Sequence, residues 1–183
     1  DVPSALSCKM TTVQWMVMAD MPPGQILLGQ ANLGALLYLQ AEKFESDLYQ
    51  IDSKCKIDPG FADDEKVVKA LRYLRKNRDT CLQMSNQCYD SVIKFTNDHN
   101  KLRYHMQDQL DNSIPQSLAL STYGKGILNL HDGTLDKAER FLTDAITLAK
   151  QTDFEELIKE AEGELQKTRD LKSDSSETSA SHK

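Results

Sequence analysis

The chain has 183 residues, 39% of them hydrophobic and 27% charged, enough for one domain, or two small ones, around a buried core. Lys and Arg number 22 against 28 Asp and Glu, a net charge of −6 that argues against nucleic acid as a partner, because such binders gather cations on one face. The longest strongly apolar run, residues 26–39, contains Gln30 and Asn32 and falls short of the roughly 20 residues that a membrane span requires.

Residues 1–25 form an irregular segment in which 13–18 fit a short helix, stopped by Met21-Pro22-Pro23-Gly24. Asp1 in place of Met is the pattern of a processed protein or of a fragment. An all-α domain is expected over 26–171. Its first helix covers 25–39, where Leu28, Ala31, Ala35 and Leu39 recur at intervals of three and four. Leu27, Leu33, Leu36, Leu37 and Tyr38 widen that stripe, so burial on more than one side is expected. A second helix fits 42–55, with Phe44, Leu48 and Ile51 inward and Asp58-Pro59-Gly60 beyond its end.

Neither glycine nor proline occurs between Phe61 and Ser113. A 4-3 spacing runs through Val67, Leu71, Leu74, Arg78, Cys81, Ser85, Cys88, Val92, Phe95, His99, Leu102 and Met106, and Asp63 and Asp64 suit the start of a helix. One long central helix results, or two if Asn97-Asp98-His99-Asn100 breaks it. Arg78, Ser85 and His99 interrupt the seam, which favours packing within a bundle over a dimeric zipper. Further helices are expected over 117–130, 135–151 and 153–171, with a turn at His131-Asp132-Gly133. Residues 172–183, without a large apolar side chain, read as a disordered tail.

The four cysteines, Cys8, Cys55, Cys81 and Cys88, include no CxxC pair, and no Asn-x-Ser/Thr sequon occurs. Buried free thiols in a reducing cytoplasm are the expectation. The alternative is a secreted helical binding protein stapled by two disulfides, a ligand-sequestering protein or surface antigen. No catalytic residue, metal or cofactor is expected. Gly124-Lys125-Gly126 lacks the other P-loop residues and follows no strand, and the histidines form neither HExxH nor a close Cys-His pair.

Residues 126–150 carry Gly126 on one helix, Gly133 in a turn, Leu135 entering the next helix, and Ala138 and Ala145 seven apart with Leu142, Ile146 and Leu148 around them. This arrangement resembles a tetratricopeptide repeat, a helical hairpin of about 34 residues. Asn129 stands where that family has an aromatic, and Lys150 where it has a proline. Ala35, Tyr38, Phe44, Ile51, Ile57 and Pro59 repeat the spacing more weakly, with Asp47 and Lys54 in place of the two alanines. The layout is also similar to the MIT domain, a three-helix bundle found in tandem at the ends of some autophagy kinases. Both resemblances imply a non-catalytic scaffold or adaptor that holds a helix or peptide of another protein in a groove between helices. Transferred to this chain, the groove residues would be Tyr38, Lys125 and Asn129. Lys69, Arg72 and Lys76 form an alternative basic face, suited to an acidic partner or a membrane surface.

Overall fold

The computed structural model describes the backbone of residues 23–103 and 113–180, and the side chains of 23–98 and 113–174. The helix expected over 13–18, Cys8 and Met106 lie outside the described residues. All regular structure among the described residues is helical: α1 (Pro23–Ile57), α2 (Pro59–Ala62), α3 (Glu65–Arg103), α4 (Ser113–His131), α5 (Leu135–Gln151) and α6 (Glu155–Ala180). The all-α expectation is met.

Residues 25–39 and 42–55, read from sequence as two helices, are one. The intervening Gln40-Ala41-Glu42-Lys43 are good helix formers, and no glycine or proline stands between Gly34 and Pro59 to break the run. The weaker of the two repeat-like hairpins, over 35–59, therefore does not form. α1 ends where Asp58 caps α2, its carboxylate accepting from the Gly60 and Phe61 amides at 3.0 and 3.3 Å with Pro59 in the first turn.

α3 runs unbroken through Asn97-Asp98-His99-Asn100, and its 39 residues span roughly 58 Å at about 1.5 Å per residue. Asp64 opens it by accepting from the Lys66 amide at 2.7 Å. Its buried stripe is Cys81, Ser85, Tyr89, Val92 and Thr96. A straight helix of 3.6 residues per turn drifts off a 4-3 seam, so Tyr89 and Thr96 turn inward where that seam names Cys88 and Phe95. Ser85, an apparent interruption, is fully buried and donates to the Gly34 carbonyl of α1 at 2.8 Å.

α1 and α3 pack along Leu33, Leu37, Ala41 and Cys81, with Phe44, Leu82 and Met84 around them. α4 lies across both, and Leu27, Val92 and Ile114 close that junction. Asp132, Gly133 and Thr134 then turn the chain into α5, with Gly133 at φ +71°, a conformation that only glycine adopts without strain. Ala138, Leu142, Ala145 and Ala149 are buried on α5, and a Cβ on Gly126 would stand 2.8 Å from the Leu142 side chain. α6 packs on α5 through Leu157, Ala161 and Leu165. Ion pairs reinforce this contact: Glu139 meets Arg169 at 2.9 Å and Lys172 at 2.7 Å, and Lys172 also meets Asp136 at 2.7 Å. α6 continues to Ala180 and so takes in part of the segment whose composition reads as a tail.

Candidate functional site

The helices alternate between two layers. α1, α4 and α6 line one side of the molecule, and α3 and α5 back them. α4 touches α1 along much of its length but α6 only slightly, while α1 and α6 do not pack on each other. A groove of about 490 Å³ opens between them, with α1 and α6 as walls and α4 as floor.

The groove is lined by residues within 31–42 of α1, 120–131 of α4 and 160–171 of α6. Each stretch is roughly 16 Å long at about 1.5 Å per residue. Ala31, Ala35, Leu39, Leu120, Ile127, Leu130 and Leu171 supply the apolar surface. Leu39 and Leu171 stay 57% and 49% exposed at the groove. Three tyrosines enter: Tyr38 from α1, Tyr123 from α4, and Tyr89 from α3, which reaches the floor between Gly34 and Gly124. A Cβ on Gly34 would stand 2.7 Å from the Tyr89 ring, and one on Gly124 would overlap it, so both helices depend on glycine there. Tyr38 meets His131 edge to face with ring centroids 6.2 Å apart, and the His131 Nε2 lies 2.8 Å from a Glu45 carboxylate oxygen.

The charge of the groove is one-sided. Glu42, Glu160 and Glu164 line it together with His131, and no lysine or arginine does. Glu164 meets Lys167 at 2.6 Å, whereas Glu42 and Glu160 have no ion-pair partner among the described residues. The tyrosines register the resulting field. Burial pushes the Tyr123 phenol up to about 12, with Glu160 and Glu164 adding to the shift. Tyr38 is raised further, first by burial and then by Glu42, Glu45 and Glu164. Tyr89 rises to about 12, chiefly through burial.

Of the residues expected to line a groove, Tyr38 does. Lys125 and Asn129 do not, because both are committed inside the fold. The Lys125 ammonium donates to Asn86 at 2.7 Å, pairs with Asp90 at 2.8 Å and stands 6.0 Å from the Phe141 ring centroid, leaving the side chain 14% exposed. Asn129 donates to the Lys125 carbonyl at 2.7 Å, and its own side-chain oxygen accepts from the Thr134 hydroxyl at 2.9 Å, which fixes the turn into α5. On the alternative basic face, Lys69 pairs with Glu65 at 2.7 Å. Arg72 and Lys76 border an open surface depression with Val68, Leu71, Arg75 and Asp79.

The sequence reading missed Tyr123, Ile127 and the two glutamates of α6. A signal for the first two existed: α4 has apolar residues on several faces rather than along one stripe, so more than one neighbour is needed to cover it. Cys55, Cys81 and Cys88 are all free thiols, which removes the two-disulfide alternative since it requires all four cysteines. Burial raises Cys81 and Cys88, which disfavours the thiolate a nucleophile needs. Among the described residues no cluster of His, Cys, Asp or Glu has the arrangement of a metal site, and no helix is long and apolar enough to cross a membrane.

No protein-family model matches the chain, and no solved structure does. Two curated proteins of Saccharomyces cerevisiae are similar to it. One, the mitochondrial inner membrane i-AAA protease supercomplex subunit MGR3, is 59% identical over 173 residues, which is 94% of this chain and 34% of that protein. The other, Protein MRG3-like, is 40% identical over 163 residues, 89% of this chain and 34% of that protein. The first of these overturns the expectation of a cytoplasmic or secreted protein, since a sequence this similar belongs to a subunit named for the mitochondrial inner membrane. The chain thus spans about a third of the length of the curated relatives it matches, and nearly all of it is similar to one continuous share of them.

Proposed function

We propose that the chain is a non-catalytic interaction module of a larger, protease-associated mitochondrial assembly, and that it holds a segment of a partner protein in the groove between α1, α4 and α6. The groove carries this reading: three helices converge on an apolar floor set with tyrosines, and leucines on its lips remain in solvent. The name of the 59% identical relative, a subunit of a protease supercomplex, supports a role defined by protein partners. The resemblance to tetratricopeptide and MIT modules supports the same mode, because those families are read as receptors for helices or peptides.

Site-specific photo-crosslinking in the full-length protein tests this reading. A benzophenone amino acid at Leu39 or Leu171 is expected to trap subunits or clients of the protease assembly. The same probe at Tyr73, exposed on α3 outside the groove, is expected to trap none. Equal yields of the same products from Tyr73 would overturn the groove as the docking site.

A further inference from the structure

From the charge of the groove we infer that its occupant is a cationic amphipathic segment of a partner protein, whose apolar residues sit on the α4 floor while Lys or Arg side chains reach Glu42 on one wall and Glu160 on the other. This inference rests on the groove being the docking site and adds the chemistry of what docks. The two carboxylates stand on opposite walls, α1 and α6, with no cation among the described residues paired to either. Glu164 and Glu45 add to the same field, the first beside Lys167 and the second beside His131. Tyr38 and Tyr123 also line the groove, and tyrosine rings attract ammonium and guanidinium groups as well as apolar side chains. An acidic segment would instead place its charge against the carboxylates of Glu42, Glu45, Glu160 and Glu164, an arrangement that rejects it.

The groove also sets a length. About 16 Å of lined wall accommodates about three turns of a helix, or about five residues of extended chain. The spacing of anchors then follows: small or branched apolar residues face Ala35 and Ile127, and cations flank them on both edges.

The test uses three dye-labelled synthetic peptides of about 15 residues, long enough to cover three helical turns. They share one Leu/Ala face and carry Lys, Gln or Glu along both edges. Fluorescence anisotropy with the whole 183-residue chain measures their affinities. The Lys peptide is expected to bind about tenfold more tightly than the Gln peptide, the equivalent of a few partly screened ion pairs, and the Glu peptide more weakly than either. The advantage should disappear in the Glu42→Gln/Glu160→Gln variant and shrink at high salt. Both carboxylates are exposed, so that variant is expected to melt with the parent. Equal binding of the Lys and Gln peptides, with both lost in Ala35→Trp, would overturn the charge inference and leave the groove standing. A Lys preference that survives the double Gln variant would overturn it as well. Binding of no peptide, or binding untouched by Ala35→Trp, would sink the groove itself and the inference with it.

Discussion

The two sides of α4 differ in a way that explains the placement of the groove. Toward α3 and α5, α4 presents Lys125, Gly126 and Asn129, and each is used: Lys125 by Asp90 and Asn86, Gly126 by Leu142, Asn129 by the turn at Thr134. Toward α1 and α6 it presents Leu120, Tyr123, Ile127 and Leu130, whose side chains line a space that no described element fills. Polar Lys125 and Asn129 thus lie on the closed side, whereas the apolar residues of the groove side stay only partly covered. In a helix surrounded by neighbours, a buried polar residue is kept where it has an internal partner.

Substitutions can break or sharpen that contrast. The largest effect is expected on the closed side: Ala145→Glu and Ala138→Glu each place a charge at a fully buried helix contact, costing about 3–5 kcal/mol by chemical denaturation. Unchanged unfolding midpoints for both would mean that α5 does not pack on α4 as described. Gly124→Ala acts between the two sides, since its Cβ would overlap the Tyr89 ring. A loss of about 1–3 kcal/mol is expected, reduced when Tyr89→Leu is combined with it in a double-mutant cycle. Additive losses would show that the ring is not what the glycine accommodates.

Lys125→Ala is expected to lower stability by about 1 kcal/mol, because Asp90 is half in solvent, and to leave peptide binding in the groove unaltered. Weakened binding at full stability would place Lys125 in the site after all. Raising the pH probes the open side. Unfolded tyrosines lose their protons near pH 10, whereas Tyr89 and Tyr123 hold theirs to about 12. The folded state therefore binds more protons between those values, and stability, flat below about pH 10, should fall as the pH rises through that window. Tyr123→Phe should make the fall shallower, and an unchanged slope would remove Tyr123 as a contributor. The smallest effect belongs to the groove wall: Ala35→Glu, at an exposed position, should stay within about 0.5 kcal/mol of the parent. A larger loss would mean that the wall is covered from within.

The helical class, the α5 boundaries and the turn at Gly133 are legible in the sequence because each follows from local rules: period, glycine, breakers. The Ala31-Ala35-Leu39 stripe is equally visible, but periodicity does not show that Ala31 is buried while Ala35 and Leu39 stay exposed. The same limit applies to Lys125 and Asn129. Their four-residue spacing places them on one face of α4, but which side of the molecule that face meets depends on α3, 39 residues away for the Lys125–Asn86 bond. Glu42 and Glu160 come together only through the path of four intervening helices, which no spacing encodes.

Tyr89 is shared property: its ring belongs to the junction of α1, α3 and α4 and at the same time forms part of the groove floor. Spreading α1 from α4 would expose a ring that is now 4% accessible, so the burial of Tyr89 ties the outline of the groove to the packing of the core. If the groove docks a partner segment as proposed, that segment would lose its own freedom but would not have to reorganise this junction.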